Sequence, residues 1–210
     1  MAFRLATTDG RAVLVANDGI YDLERHSGGA FSADAMEAIA RSPELHDIAA
    51  NLGDNADAPY DADRLGPCVP KPQKIFGIGL NYRSHAEETG TEPPPAPLVF
   101  AKFLNCLAGP TSDVVLYGPT TDWEAELVLV MGTSARDIPA DQAWDHIAGL
   151  TCGQDISERT TQFASSPPHF DLGKSFDTYG PIGPCVVSAD QLDNPSSLAL
   201  TCDVNGERRQ

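Results

Sequence analysis

Residues 122–132, Asp-Trp-Glu-Ala-Glu-Leu-Val-Leu-Val-Met-Gly, set carboxylates at the mouth of an apolar run. Leu and Val ending at a glycine predict a strand, on which side chains alternate between faces. Glu124 and Glu126 therefore share a face one pleat apart, and Asp122 shares it with them. Carboxylates held that close repel unless a cation lies among them. Hard oxygen donors suit Mg2+ or Mn2+, with Ca2+ as a further option. The apolar run itself is expected to be covered on both sides. A solvated strand end with spare acids is the plainer alternative, and this segment alone leaves both open.

Three other groups carry chemistry. His85 and Glu88 stand three apart, so on a helical turn they share a face and the carboxylate can orient the imidazole as a general base. Taken alone, a surface pair is the simpler reading. Asp155 ends the run Cys152-Gly-Gln-Asp155 and is either a third cation ligand or the cap of the following turn. Lys174 is one of only four lysines in the chain, in Gly173-Lys174-Ser-Phe-Asp177. A lysine on a stiff loop can neutralise a carboxylate or an enolate. Gly77-x-Gly79 lacks the third glycine of a dinucleotide fingerprint, and neither a P-loop nor a G-x-S-x-G is present.

The elements that must position these residues read as mostly β. Residues 3–6 and 11–16 predict a hairpin across Asp9-Gly10, with a third strand at 20–23. Residues 32–41 and 43–52 predict two short helices capped by Ser32 and Ser42. The acidic, small-residue stretch 53–63 reads as a linker or surface loop. Strands are expected at 74–80, 98–102, 113–116, 124–131, 149–156, 186–188 and 199–204, with a helical turn at 81–88 and a helix at 140–148. Long glycine- and proline-rich loops between strands favour an irregular β-roll or barrel over a doubly wound sheet. Residues 1–69 are read as a small α+β accessory domain and 70–210 as the catalytic domain.

Composition excludes several classes. Acidic residues number 30 against 14 basic, a formal net charge of −16, which argues against binding nucleic acid by neutralising phosphates. Five dispersed cysteines without a C-x-x-C pair argue against a disulfide framework or a zinc site. No run approaches the length of a membrane span and the N-terminus has no apolar targeting segment. The expectation is a cytoplasmic protein that does not engage a membrane.

From about Pro70 to Gln210 the chain resembles the fumarylacetoacetate hydrolase family, including its bacterial acylpyruvase-like and 2-hydroxyhepta-2,4-diene-1,7-dioate isomerase-like members. The motifs are Gly79-Leu-Asn-Tyr-Arg-Ser-His85-Ala-Glu-Glu88, Asp122-Trp-Glu124-Ala-Glu126-Leu, Gly153-Gln-Asp155-Ile-Ser-Glu-Arg159-Thr-Thr-Gln162 and Gly173-Lys174-Ser-Phe-Asp177-Thr-Tyr-Gly-Pro181-Ile-Gly183-Pro184, four in register. The resemblance implies a β-roll catalytic domain behind a small N-terminal domain, usually as a homodimer. It implies Mg2+ or Mn2+ on Glu124, Glu126 and Asp155, a water-activating His85–Glu88 dyad on a mobile lid, and Lys174 at the substrate, with Tyr82, Arg159 and Gln162 as further substrate contacts. The implied reaction is hydrolytic C–C cleavage of a small 2,4-dioxo acid, as in aromatic catabolism. An oxaloacetate-type decarboxylase, a hydroxymuconate-type isomerase and a non-catalytic homologue are the alternatives. The family pattern continues past Asn205-Gly-Glu207 through a further helix, strands and a Thr-Pro-x-Gly loop, so the C-terminal part of the fold is expected to be missing here. Phe103 also stands where a proline is frequent.

Overall fold

A computed structural model describes residues 2–88, 90, 92, 94–195 and 197–210, without the side chains of Ser84, His85 and Glu88. The chain opens with an antiparallel meander of β1 (Arg4–Thr8), β2 (Arg11–Ala16) and β3 (Gly19–Asp22). The first turn places Asp9 at φ 50° and Gly10 at φ 74°, the left-handed pair that a tight hairpin requires and that Asp-Gly supplies. Next come α1 (Leu23–His26), α2 (Ala35–Ala40) and α3 (Ser42–Ala50), then β4 (Ala58–Pro59) against β3. The caps differ from expectation. Asp34, not Ser32, accepts from the Met36 N–H at the start of α2, whereas Ser42 is the first residue of α3 and follows Arg41, which makes no side-chain cap.

The second half holds β5 (Phe76–Gly79), α4 (Arg83–Glu88), β6 (Leu98–Ala101), β7 (Leu107–Ala108), β8 (Thr121–Asp122), β9 (Ala125–Met131) and β10 (Ile147–Gln154). It ends with β11 (Ser157–Glu158), α5 (Arg159–Gln162), α6 (Phe170–Gly173), β12 (Gly180–Val187) and the hairpin β13 (Asp203–Val204) and β14 (Glu207–Arg208). The expected strand at 113–116 does not form: Val115 and Leu116 are exposed and outside any ladder. Residues 140–146 wind as 3-10 turns rather than an α-helix.

One sheet joins both halves. Its order is β4-β3-β2-β1-β12-β10-β9, with β7 parallel to β12. β1 pairs with β12, matching Leu5 to Val186, so the composition change near residue 70 is not a break in the sheet. Alternation sorts the strand residues between two faces. Leu5, Ala12 and Leu14 point toward α2 and α3 and form one core with Phe3, Phe31, Ile39, Leu45, Val130, Ile182 and Val186. Ala6, Val13, Ile20, Leu65 and Cys185 pack on the other face. β9 is an edge strand among the described residues, and Leu129 and Met131 remain 49% and 52% exposed, contrary to the expected double cover. Among the described residues, no helix is long and apolar enough to cross a membrane.

Candidate active site

Two ladders place the carboxylates. In the β9–β10 pair Glu126 faces Gly153 and Ala125 faces Gln154, and the Asp155 N–H extends the ladder by donating to the Glu124 carbonyl at 2.8 Å. Beyond a one-residue break, Ser157 faces Asp122 in β8–β11. Asp122, Glu124 and Asp155 thus line up along two adjacent chains near the end of the sheet.

Three cations meet them. Lys174 Nζ lies 2.8 Å from Glu124 Oε2, 2.8 Å from Asp155 Oδ2 and 2.8 Å from Ser157 Oγ, and the residue is 2% exposed. Lys102 Nζ donates to Asp155 Oδ1 at 2.6 Å. The Arg159 guanidinium bridges Glu124 Oε1 at 2.7 Å and Asp122 Oδ2 at 2.7 Å, and donates to Gln162 Oε1 at 2.9 Å. Burial works against the Arg159 charge, but the Asp122 and Glu124 carboxylates outweigh it and raise its pKa.

Glu126 is the carboxylate left over. Among the described residues it makes no ion pair, and the Tyr82 hydroxyl lies beside it. Burial, followed by repulsion from Glu124 and Asp155, pushes its carboxyl up to about 7. Burial and the Glu126 charge in turn raise the Tyr82 phenol. A buried oxygen donor under net like-charge repulsion is what a hard cation stabilises, so the donor chemistry fits Mg2+ or Mn2+. Among the described residues no three His, Cys, Asp or Glu side chains are gathered tightly enough to enclose an ion as they stand, Lys174 Nζ lying between Glu124 and Asp155.

Local sequence explains the lysine loop. A Cβ at position 173 would lie 2.7 Å from the Gln162 backbone nitrogen, so only glycine lets α6 press on α5 and deliver Lys174 inward. Below the loop, Tyr179 is fully buried with Cys106 and Ile156, and its hydroxyl meets Thr121 Oγ1 at 2.8 Å. The cap of α5 is Glu158, whose carboxylate accepts from the Thr161 N–H at 2.7 Å. Hydrogen bonds from Thr120 and Thr161 hold that carboxyl down at about 2. Asp155 faces the two lysines instead of capping.

Of the residues expected from sequence, Glu124, Glu126, Asp155, Lys174, Arg159, Gln162 and Tyr82 converge here. The His85 and Glu88 side chains lie outside the described residues; the backbone of α4 carries both, and Ala86 N–H donates to the Tyr82 carbonyl at 3.1 Å. Lys102 and Ser157 escaped the sequence reading. The scarcity of lysine was the available signal for Lys102, at the end of the apolar run 98–101.

Residues 74–210 match the family model described as fumarylacetoacetate (FAA) hydrolase C-terminal. The chain belongs to the fumarylacetoacetate hydrolase family. A Burkholderia ambifaria protein provisionally named a hydrolase is 42% identical over 149 residues, covering 70% of this chain and 52% of that protein. The chain thus spans about half the length of the curated relatives it matches. Its fold resembles that of a Mycobacterium smegmatis protein provisionally named HpcE, with TM-score 0.90 and 38% identity over 98% of this chain and 73% of that one. It also resembles maleylpyruvate hydrolase of Sphingobium sp. SYK-6, solved with manganese(II) and pyruvate, with TM-score 0.79 and 29% identity over 99% and 75% of the two chains. The mostly β, family-type fold expected from sequence is therefore present, and the solved relatives extend beyond the part that this chain covers.

Proposed function

We propose that this family member hydrolyses a C–C bond in a 2,4-dioxo acid of the acylpyruvate type, with a divalent cation at Glu124, Glu126 and Asp155. What supports the reading is one observation: Glu124 and Asp155 share Lys174 Nζ at 2.8 Å each, and Glu126 lies close enough to both that burial and their charges raise its carboxyl to about 7. The manganese and pyruvate bound to the Sphingobium relative point the same way. When bound, Mg2+ or Mn2+ supplies the positive charge that steadies an enolate as it develops.

The chain's own residues do the rest. His85, oriented by Glu88, takes a proton from water, and the resulting hydroxide adds to the distal carbonyl. The bond between C3 and C4 breaks, its electron pair passing to the enolate of pyruvate, while the other fragment leaves as a carboxylic acid. Protonation at C3 gives pyruvate. The Lys174 ammonium, on its rigid loop beside the carboxylates, stabilises the enolate oxygen. Arg159 holds Glu124 and donates to Gln162, and so fixes the wall of the site. We place the reaction in a homodimer acting on a small acid, without nucleic acid or membrane partners.

Asp155→Ala and Glu126→Ala are expected to lose Mn2+ binding in calorimetry and turnover together, with rates falling about 10²–10³-fold by analogy with the loss of one transition-state donor. Metal-dependent turnover persisting in either variant would sink the ligand assignment. A 5-carboxymethyl-2-hydroxymuconate delta-isomerase of Mycobacterium smegmatis is also similar, at 26% identity and TM-score 0.70. Isomerisation is therefore the second reading, and a shifted diene chromophore in place of two acids would select it.

A further inference from the structure

We propose that Lys102 is a positioning residue that fixes which oxygen of Asp155 is presented to the site. This rests on the reading of Glu124, Glu126 and Asp155 as cation ligands. Lys102 differs from Lys174 in what it holds. Lys174 Nζ meets three side-chain oxygens, on Glu124, Asp155 and Ser157. Lys102 Nζ meets one carboxylate oxygen, Asp155 Oδ1 at 2.6 Å, and two backbone carbonyls, those of Lys174 and, at 3.2 Å, Tyr179. An ammonium has three protons and no acceptor. These three partners saturate it, so Lys102 is built into the framework around Asp155.

Its geometry has two consequences. Oδ1 of Asp155 is taken, which turns Oδ2 toward Lys174 and Glu124. The carbonyl of Lys174 is also anchored, so the backbone that carries the second lysine cannot drift. Neighbouring contacts stitch the same two segments without reaching a carboxylate of the cluster. Phe103 N–H donates to Ser175 Oγ at 3.0 Å, and Asn105 Nδ2 donates to the Ser175 carbonyl and to Asp177 Oδ1, both at 2.8 Å. Asn105 is therefore the control for stitching alone.

Two effects of Lys102 on a bound cation oppose one another. Its positive charge repels the ion, so charge alone predicts that Lys102→Met binds Mn2+ more tightly. Orientation of a ligating carboxylate works the other way: losing such an outer partner typically weakens metal binding about 10–100-fold. Lys102→Arg keeps the charge while changing the reach and the donor geometry.

The test is Mn2+ titration calorimetry on the full 210-residue chain, with Lys102→Met, Lys102→Arg and Asn105→Ala, and thermal unfolding alongside. Positioning predicts affinities about 10–100-fold lower in both Lys102 variants. It predicts unchanged affinity and a lowered Tm in Asn105→Ala. Tighter or unchanged binding in Lys102→Met, native affinity in Lys102→Arg, or an equal loss in Asn105→Ala would each overturn the proposal. If one Lys102 variant does not fold, the other decides. Mn2+ binding that all variants retain overturns this inference alone, whereas no Mn2+ binding by the unaltered chain overturns the ligand assignment and this inference with it.

Discussion

At the scale of single residues, the site is an electrostatic arrangement in which each charge answers another. Asp122, Glu124 and Asp155 have Arg159, Lys102 and Lys174 against them, and Glu126 is left with a phenol. Glu158 stands apart from that balance and gives a clean pH signature. Its carboxyl is held at about 2 by Thr120 and Thr161, below the ordinary value of 4.5. A carboxyl whose folded pKa is depressed adds stability above its unfolded pKa and loses it as the pH falls toward the folded one. The stability gap between the native protein and Glu158→Gln, read from urea midpoints, should therefore be full at pH 6 and close between about pH 4.5 and 2. A gap that does not change over that range would contradict the cap. Sequence disclosed the acids and singled out Lys174, because strand spacing and the scarcity of lysine are local signals, whereas Arg159 and Gln162 came only from the family resemblance. It did not disclose Lys102, whose partners at 155, 174 and 179 lie 53 or more positions away.

At the scale of elements, alternation predicted β1 and β2 and the Asp9-Gly10 hairpin well, since strand period and turn chemistry are both local signals. The same rules misread residues 113–116, whose Val-Val-Leu finds no partner strand among the described residues, and over-covered β9, which lies at the sheet edge among those residues. They also could not show that β1 joins β12, a pairing across more than 180 residues. That pairing makes a prediction. Leu14 is 1% exposed in a core shared with Val130 and Ile182. Leu14→Ala should cost about 2–5 kcal/mol. Because sheet and core are continuous, the loss should appear in one transition, with far-UV circular dichroism and the fluorescence of Trp123 and Trp144 sharing a midpoint. Separate midpoints would mean that the N-terminal strands unfold on their own.

At the scale of the molecule, a net charge of −16 surrounds a site proposed to admit an acidic substrate. The field draws in a divalent cation and opposes a carboxylate, and salt screens it over about 8–10 Å. At saturating Mn2+, raising ionic strength from about 0.01 to 0.15 M should lower KM for a dioxo acid while leaving kcat nearly unchanged; a rise in KM would reverse the sign of that steering. Sequence gave the charge directly, and the motifs gave the family, yet the relatives' greater length leaves the reaction of this chain to experiment. The decisive one follows the enol absorbance of a simple acylpyruvate over time, with this chain plus Mg2+ and again with a chelator. The account predicts metal-dependent loss of absorbance with one pyruvate released per substrate consumed. Absorbance that persists with Mg2+ present, or a loss indifferent to chelator, would contradict it.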